Sequence, residues 1–456
     1  MQFRNYGIFL GVALVCCLAW FLPSAKPEAA LGRYSYPEMM MALAAAGILL
    51  SSVSLVFAPS SRRKTRLFRI LALWMGGLAV LGGAELFASL LPPKGNPFYA
   101  FNEGGTAVDN SVDPRLPYTR PPHLKWEGWS QGDIPEWPDP SSPRRRIVFQ
   151  TDRDGFRNSE ETFKADLVFI GDSFTEAGNV LEEESFVFRS AAALNCSARN
   201  LGLFGYGPQS ELVVLEQYGL ACKPRAVVWQ LCAGNDLNDA AVYSILMAGR
   251  EELGRPPTDR GPTHSHSSWQ QRSPSYAFFR RLVKHERWWL AGTVRDAGGR
   301  PQEMRFGYWP TVNHFPLGHP EAPWRGDHPG WGPMVESLRQ GKAMLAERGI
   351  KLIILLVPTK LSVFGDLVEF DAWSMAHPIP YLRVPPDQSL EVHLARLCRE
   401  LELPLIDTSE ALRGAARAGQ FPYLMNDTHL SPLGHEIVSE LIVGRLKDDP
   451  VIFRSP

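Results

Sequence analysis

At 456 residues the chain is too long for one small domain and suits a membrane anchor followed by one elaborated globular domain. Hydrophobic residues make up 45% and charged residues 21%, an ordinary globular balance. The net charge of -1 gives no reason to expect nucleic acid or another polyanion as a partner.

Apolar residues are concentrated in the first hundred positions. Residues 7–22 and 39–58 carry no charge, and residues 70–91 carry only Glu85. A helix needs ~20 mostly apolar residues to span the hydrocarbon core, so the sequence predicts three transmembrane helices within residues 1–92. Arg62, Arg63, Lys64, Arg66 and Arg69 crowd the short loop between the second and third stretches, which assigns that loop to the cytoplasmic side. Arg4 agrees with an inside start. The third helix then runs outward and delivers the rest of the chain to the periplasmic or extracellular face. Pro23-Ser24-Ala25 fits a signal-peptidase site poorly, so the first stretch is expected to be retained. Glu85, near the outer end of its helix, suits the interface.

Residues 93–145 are rich in Pro, Trp and Gly without sustained periodicity. They read as an irregular arm packed on the domain, because Trp126, Trp129 and Trp137 favour burial. From Arg146 onward, β-rich runs alternate with amphipathic helical ones. Strands are expected at 147–150, 166–170, 199–203, 226–231, 351–357 and 404–406. Helices are expected at about 183–194, 209–218, 334–348, 388–401 and 433–446. This alternation predicts an α/β domain over 146–456, a parallel sheet with helices on both faces. Residues 240–330 interrupt the rhythm with Trp269, Trp288, Trp289, Trp309 and Trp324, and are expected to form a folded insertion or cap. No internal repeat is visible.

Four short motifs fall at the C-terminal ends of strands, where ligands bind in open α/β sheets. Gly171-Asp172-Ser173 places a serine on a tight strand-to-helix turn. Gly202 to Gly207 lets backbone approach a ligand closely, and Ala233-Gly234-Asn235-Asp236 offers an amide. Asn426-Asp427-Thr428-His429 sets an acid beside a histidine. These supply each role of acyl transfer through a serine. His429 takes the proton of Ser173, and Asp427 orients the imidazole. The N–H groups of Ser173 and Gly205 and the amide of Asn235 receive the oxyanion.

These residues, in this order, resemble the four signature blocks of the SGNH hydrolases, also called GDSL-type esterases. The name-giving serine, glycine, asparagine and histidine match Ser173, Gly205, Asn235 and His429. The resemblance covers about 146–447 apart from the insertion. It implies a three-layer α/β/α sandwich with a flavodoxin-like sheet. In the family the acid usually stands three residues before the histidine, where this chain has Asn426; Asp427 is two before. Members that acylate exopolysaccharides, such as alginate O-acetyltransferases, resemble this closer spacing.

Other features have plainer readings. Asp172 is a structural cap, Asp236 fixes its loop and His435 is a packed helix residue. Cys232 is a small buried hydrophobe, and Arg144 to Arg146 form a solvated run. His264 and His266 lack a third ligand, no Cys/His spacing suggests zinc, and no cofactor is expected. A bond between Cys196 and Cys222 is conceivable in an exported domain, but the family's sheet order puts a third strand between theirs. Lys360, at the end of the fourth strand, is expected to make a loop salt bridge or a substrate contact.

The expected activity is therefore a serine-dependent carbohydrate O-acyl esterase or O-acyltransferase acting on envelope or exported polysaccharide. A transferase of this size would need a membrane acyltransferase as partner. A non-catalytic polysaccharide-binding protein and a lipid or peptidoglycan esterase stand as alternatives.

Overall fold

The computed structural model describes residues 29–31, 34–35, 47, 49–51, 53–90, 113–130, 145–162, 164–252, 289–307, 328–376 and 389–449. The chain divides into two compact units, Met1–Pro93 with His266–Arg287, and Lys94–Ser265 with Trp288–Pro456.

In the first unit, α1 spans Arg63–Leu90 and contains nearly all of the third apolar stretch. Arg63 Nε donates to Ala58 O at 3.1 Å and Arg66 Nη1 to Ser54 O at 3.0 Å, so the basic loop satisfies carbonyls at the end of the preceding segment. Phe68, Leu71, Leu73 and Met75 are exposed along α1. Among the described residues no helix is long and apolar enough to cross a membrane. The first apolar stretch lies outside the described residues.

The second unit is built on five parallel strands: β3 (Leu167–Gly171), β4 (Ala198–Gly202), β5 (Ala226–Cys232), β8 (Lys351–Val357) and β10 (Leu405–Asp407). Counted among themselves in chain order, they lie side by side as 2-1-3-4-5, the flavodoxin-like arrangement. Every residue of β3, β4 and β5 is buried because both sheet faces are covered; β3 is wholly apolar, while the buried Arg199, Asn200 and Gln230 of β4 and β5 are hydrogen-bonded to Asp152, Thr175 O and the Thr175 hydroxyl.

The period of two splits each strand between two cores. Val168, Ile170, Val227, Trp229 and Ile354 face one cluster. It is closed by α4 (Pro208–Val214), α6 (Trp331–Ala346) and α9 (Leu390–Glu400). Leu167, Phe169, Val228, Ile353 and Leu355 face the other. That side is closed by α3 (Phe186–Leu194), α10 (Ser409–Arg417) and α11 (Pro432–Leu446). The result is the expected three-layer sandwich. Gly341 lets α6 cross Trp229, since a Cβ there would collide with the indole.

Two features depart from expectation. The strand at 147–150 does not join the sheet. As β2 (Arg145–Gln150) it pairs antiparallel with β1 (Lys125–Ser130) of the arm, Trp126 opposite Phe149. Its alternating burial suits a ribbon with one face covered. The arm is thus partly regular; Trp137 lies outside the described residues. The proposed insertion is folded where described. Helix α5 (Asp236–Glu252) enters it, and a hairpin of β6 (Trp289–Arg295) and β7 (Pro301–Gly307) closes it. Leu290, Val294, Met304 and Phe306 of that hairpin enter the second core. The other four insertion tryptophans and His264 and His266 lie outside the described residues. Finally, Cys196 and Cys222 are free thiols, and β3 indeed separates β4 from β5.

Candidate active site

The turn after β3 is built for a serine. A Cβ at Gly171 would collide with Thr175 Oγ1 and Gln230 Oε1, so glycine is required where strand turns into helix. Asp172 caps the next turn by accepting from Phe174 N at 2.9 Å. Helix α2 (Ser173–Glu176) is a single turn, ended by Ala177 in the left-handed region with its N–H on Ser173 O. So short a helix contributes free N–H groups rather than a macrodipole.

Ser173 Oγ lies 2.8 Å from His429 Nε2, and His429 Nδ1 lies 2.7 Å from Asp427 Oδ1. The same Asp427 oxygen accepts the His429 backbone N–H at 2.9 Å. With the acid two residues before the histidine, one carboxylate oxygen thus holds both the ring and the backbone of His429. Donation from Nδ1–H to Asp427 leaves Nε2 as acceptor for the serine hydroxyl. Phe174 and Phe204 flank the imidazole, with ring centroids at 4.9 and 6.3 Å. Ser173 and His429 are only 5% and 4% exposed, and Asp427 is buried. Hydrogen bonds in so dry a setting are electrostatically stronger than in water.

Gly205 stands at φ 70°, a left-handed conformation that favours glycine, at the tip of the turn from Leu203 to Tyr206. The Asn235 amide is engaged by two acidic side chains. Its Nδ2 donates to Asp172 Oδ2 at 3.0 Å and to Asp239 Oδ2 at 2.8 Å, which engages both amide hydrogens. An oxyanion must compete with those carboxylates for the amide.

Burial is the main cause that pushes the carboxyl of Asp172 up, with the Phe174 N–H, Asn235 and His429 pulling the other way. Glu211 and Asp236 are raised well above the ordinary range by burial and by neighbouring acids. Asp236 Oδ2 accepts Cys232 N at 2.7 Å, so it fixes its loop. Burial also holds the Cys232 thiol protonated, in keeping with a packing role. His435 is buried and lowered to about 3, and its Nδ1 accepts Phe186 N; it is a neutral packing residue. Among the described residues no cluster of three His, Cys, Asp or Glu could hold a metal.

Several supporting residues escaped sequence reasoning. Arg120, in the arm, forms a fully buried bidentate pair with Glu176 of the nucleophile turn, Nη2 to Oε2 at 2.9 Å. Glu176 Oε2 also accepts Phe204 N at 2.9 Å, tying this turn to the Gly205 loop. Arg157 donates to the carbonyls of Glu176, Ala177 and Val180 just beyond α2. Phe149 of the ribbon lies beside both guanidiniums, 5.1 Å from Arg120 and 5.5 Å from Arg157. Asn200 donates to Thr175 O at 2.7 Å and accepts Gly202 N at 2.9 Å. Glu176 alone carried a signal, as an acid three residues past the serine; Arg120 had none, 56 residues away.

No family model and no curated protein matches the chain. Among solved structures it is similar to an acetyl xylan esterase, at 12% identity and TM-score 0.31 over 61% of this chain and 98% of that one. It is similar to a catalytic mutant of an acetylxylan esterase from Geobacillus stearothermophilus, at 13% identity and TM-score 0.32 over 65% and 100%. It is also similar to a GDSL-like lipase from Bacteroides thetaiotaomicron VPI-5482, at 10% identity and TM-score 0.28 over 61% and 86%.

Proposed function

We propose that the protein is a serine-dependent carbohydrate O-acyl esterase or O-acyltransferase working through an acyl-serine. The observation that carries this reading is the unbroken relay from Ser173 through His429 to Asp427, at 2.8 and 2.7 Å. In the first half-reaction Ser173 Oγ attacks the ester carbonyl and passes its proton to His429 Nε2. Asp427 stabilises the imidazolium, and the tetrahedral oxyanion takes the N–H groups of Ser173 and Gly205. His429 then returns the proton to the leaving alcohol as the carbon–oxygen bond breaks. Water or a sugar hydroxyl attacks the acyl-serine by the same route in reverse, giving hydrolysis or transfer.

Support for a polysaccharide substrate comes from the Asp427-x-His429 spacing and the tryptophan content of residues 240–330. Support for membrane anchoring comes from the apolar stretches and from the exposed Phe68, Leu71, Leu73 and Met75 of α1, with the catalytic domain on the periplasmic or extracellular side. Transfer would draw on a membrane acyltransferase as donor.

The full-length chain in mild detergent should hydrolyse 4-nitrophenyl acetate and label at Ser173 with a fluorophosphonate. Ser173→Ala should lose both, with turnover down by about ten-thousandfold or more. Activity surviving that change would remove Ser173 as nucleophile. Acetylated glycans compared with long-chain esters test the substrate class.

A further inference from the structure

Lys360, expected to make a loop salt bridge or a substrate contact, is held by converging backbone carbonyls. It opens α7 (Lys360–Phe364), directly after the fourth sheet strand, and is 1% exposed. Its Nζ donates to Arg305 O at 2.6 Å, Leu424 O at 2.6 Å, Met425 O at 3.0 Å and Asp427 O at 3.0 Å. The ring of Phe306 lies 5.3 Å from the same ammonium. Three of these four carbonyls belong to the segment that carries Asp427; the fourth belongs to β7. Arg305 N also donates to Met425 O at 2.9 Å, so hairpin and acid segment meet at this point.

Burying an ammonium costs several kcal/mol, and neutral carbonyls cancel none of its charge. A role in packing alone would be met by a Leu or Met at lower cost. What a cation adds is the ability to hold converging carbonyl dipoles, which otherwise repel one another, and to place a positive field behind the catalytic acid.

We propose that Lys360 is a positioning residue for Asp427, fixing the backbone of the acid segment and setting the basicity of His429 through its charge. This rests on the acyl-serine reading above. Positive charge behind Asp427 disfavours the imidazolium, so removing it raises the pH at which His429 becomes the free base.

The test compares full-length wild type, Lys360→Met and Lys360→Arg by the pH profile of 4-nitrophenyl acetate hydrolysis, with thermal melts to establish folding. Lys360→Met should lower kcat by about a hundredfold with KM within about twofold. It should also move the acid limb of kcat/KM upward by on the order of half to one pH unit. Lys360→Arg keeps the charge, so its acid limb should stay in place while its rate falls by less than about tenfold. A folded Lys360→Met enzyme with the wild-type limb and kcat overturns the proposal, as does a shifted limb in Lys360→Arg. Should Lys360→Met fail to fold, Lys360→Gln removes the charge while keeping an amide donor, and its limb decides. Wild type that neither turns over the ester nor labels at Ser173 sinks the acyl-serine reading itself, and the role of Lys360 with it.

Discussion

The two halves of the relay are braced by cations of different kinds. On the nucleophile side, Arg120 meets Glu176 as a buried, charge-balanced pair, and Glu176 passes the restraint on to Phe204 N. On the acid side, the Lys360 ammonium donates to neutral backbone carbonyls of the segment that carries Asp427. The first brace sets geometry without adding a net field. The second sets geometry and also biases the protonation of the residues it holds. Both come from outside the four motifs, one from the arm and one from the end of the fourth strand.

The largest effect should come from breaking the relay on the acid side. Asp427→Asn should reduce kcat by about ten-thousandfold through loss of the carboxylate that orients and charges His429, measurable in ester hydrolysis. Adding Asn426→Asp to that variant should not restore the rate, because one oxygen of Asp427 receives both His429 Nδ1 and His429 N. Recovery there would show that the acid segment is loose, contrary to a braced one.

Breaking the nucleophile-side brace should appear as stability instead. Arg120→Met leaves Glu176 buried and uncompensated, at a cost of about 3–5 kcal/mol in chemical denaturation. Glu176→Gln in the same background should recover part of that loss. The acid limb of the surviving enzyme should move less than it does on loss of the Lys360 charge, since Arg120 and Glu176 cancel one another.

Buried groups away from the braces give smaller effects with opposite pH signs. His435 has its folded value lowered to about 3 against 6.5, so the unfolded chain binds the extra proton between those values. Stability should therefore fall as pH drops below 6.5, by up to about 1.4 kcal/mol per unit from this residue alone, and His435→Gln should flatten that slope in pH-dependent melts. Glu211 has the reverse sign. Its folded value lies well above 4.5, so its contribution declines as pH rises beyond 4.5. Glu211→Gln keeps an acceptor for Trp229 Nε1, which now bonds Glu211 Oε2 at 2.7 Å. The variant should gain stability at pH 8 relative to wild type and lose that gain near pH 4; a constant difference would contradict the assigned shift.

Much of the catalytic layer was legible because its physics is local. Apolar runs such as Leu167 to Ile170 declare strands covered on both faces, and Gly171, Ser173 and Pro432 mark the turns and caps that follow them. Ser173, His429 and Asp427 could be singled out because each sits at a strand or helix end, and the fold then brought them within hydrogen-bonding distance. The 409–417 helix and the β6–β7 hairpin were not foreseen. The first is short, and the second owes its strands to residues that pair with one another and join the second core only once the sheet exists.

The chain's own pattern thus determined the α/β class, the sheet and the candidate nucleophile, since periodicity and turn chemistry act over a few residues. Tertiary structure alone decided that the Asn235 amide lies between Asp172 and Asp239, and that Arg120 and Lys360 hold the two ends of the relay. Apart from the local Asn235–Asp239 bond, those contacts join residues 55 to 67 positions apart. Buried cations find their carboxylate or carbonyl partners only when water is excluded around all of them at once.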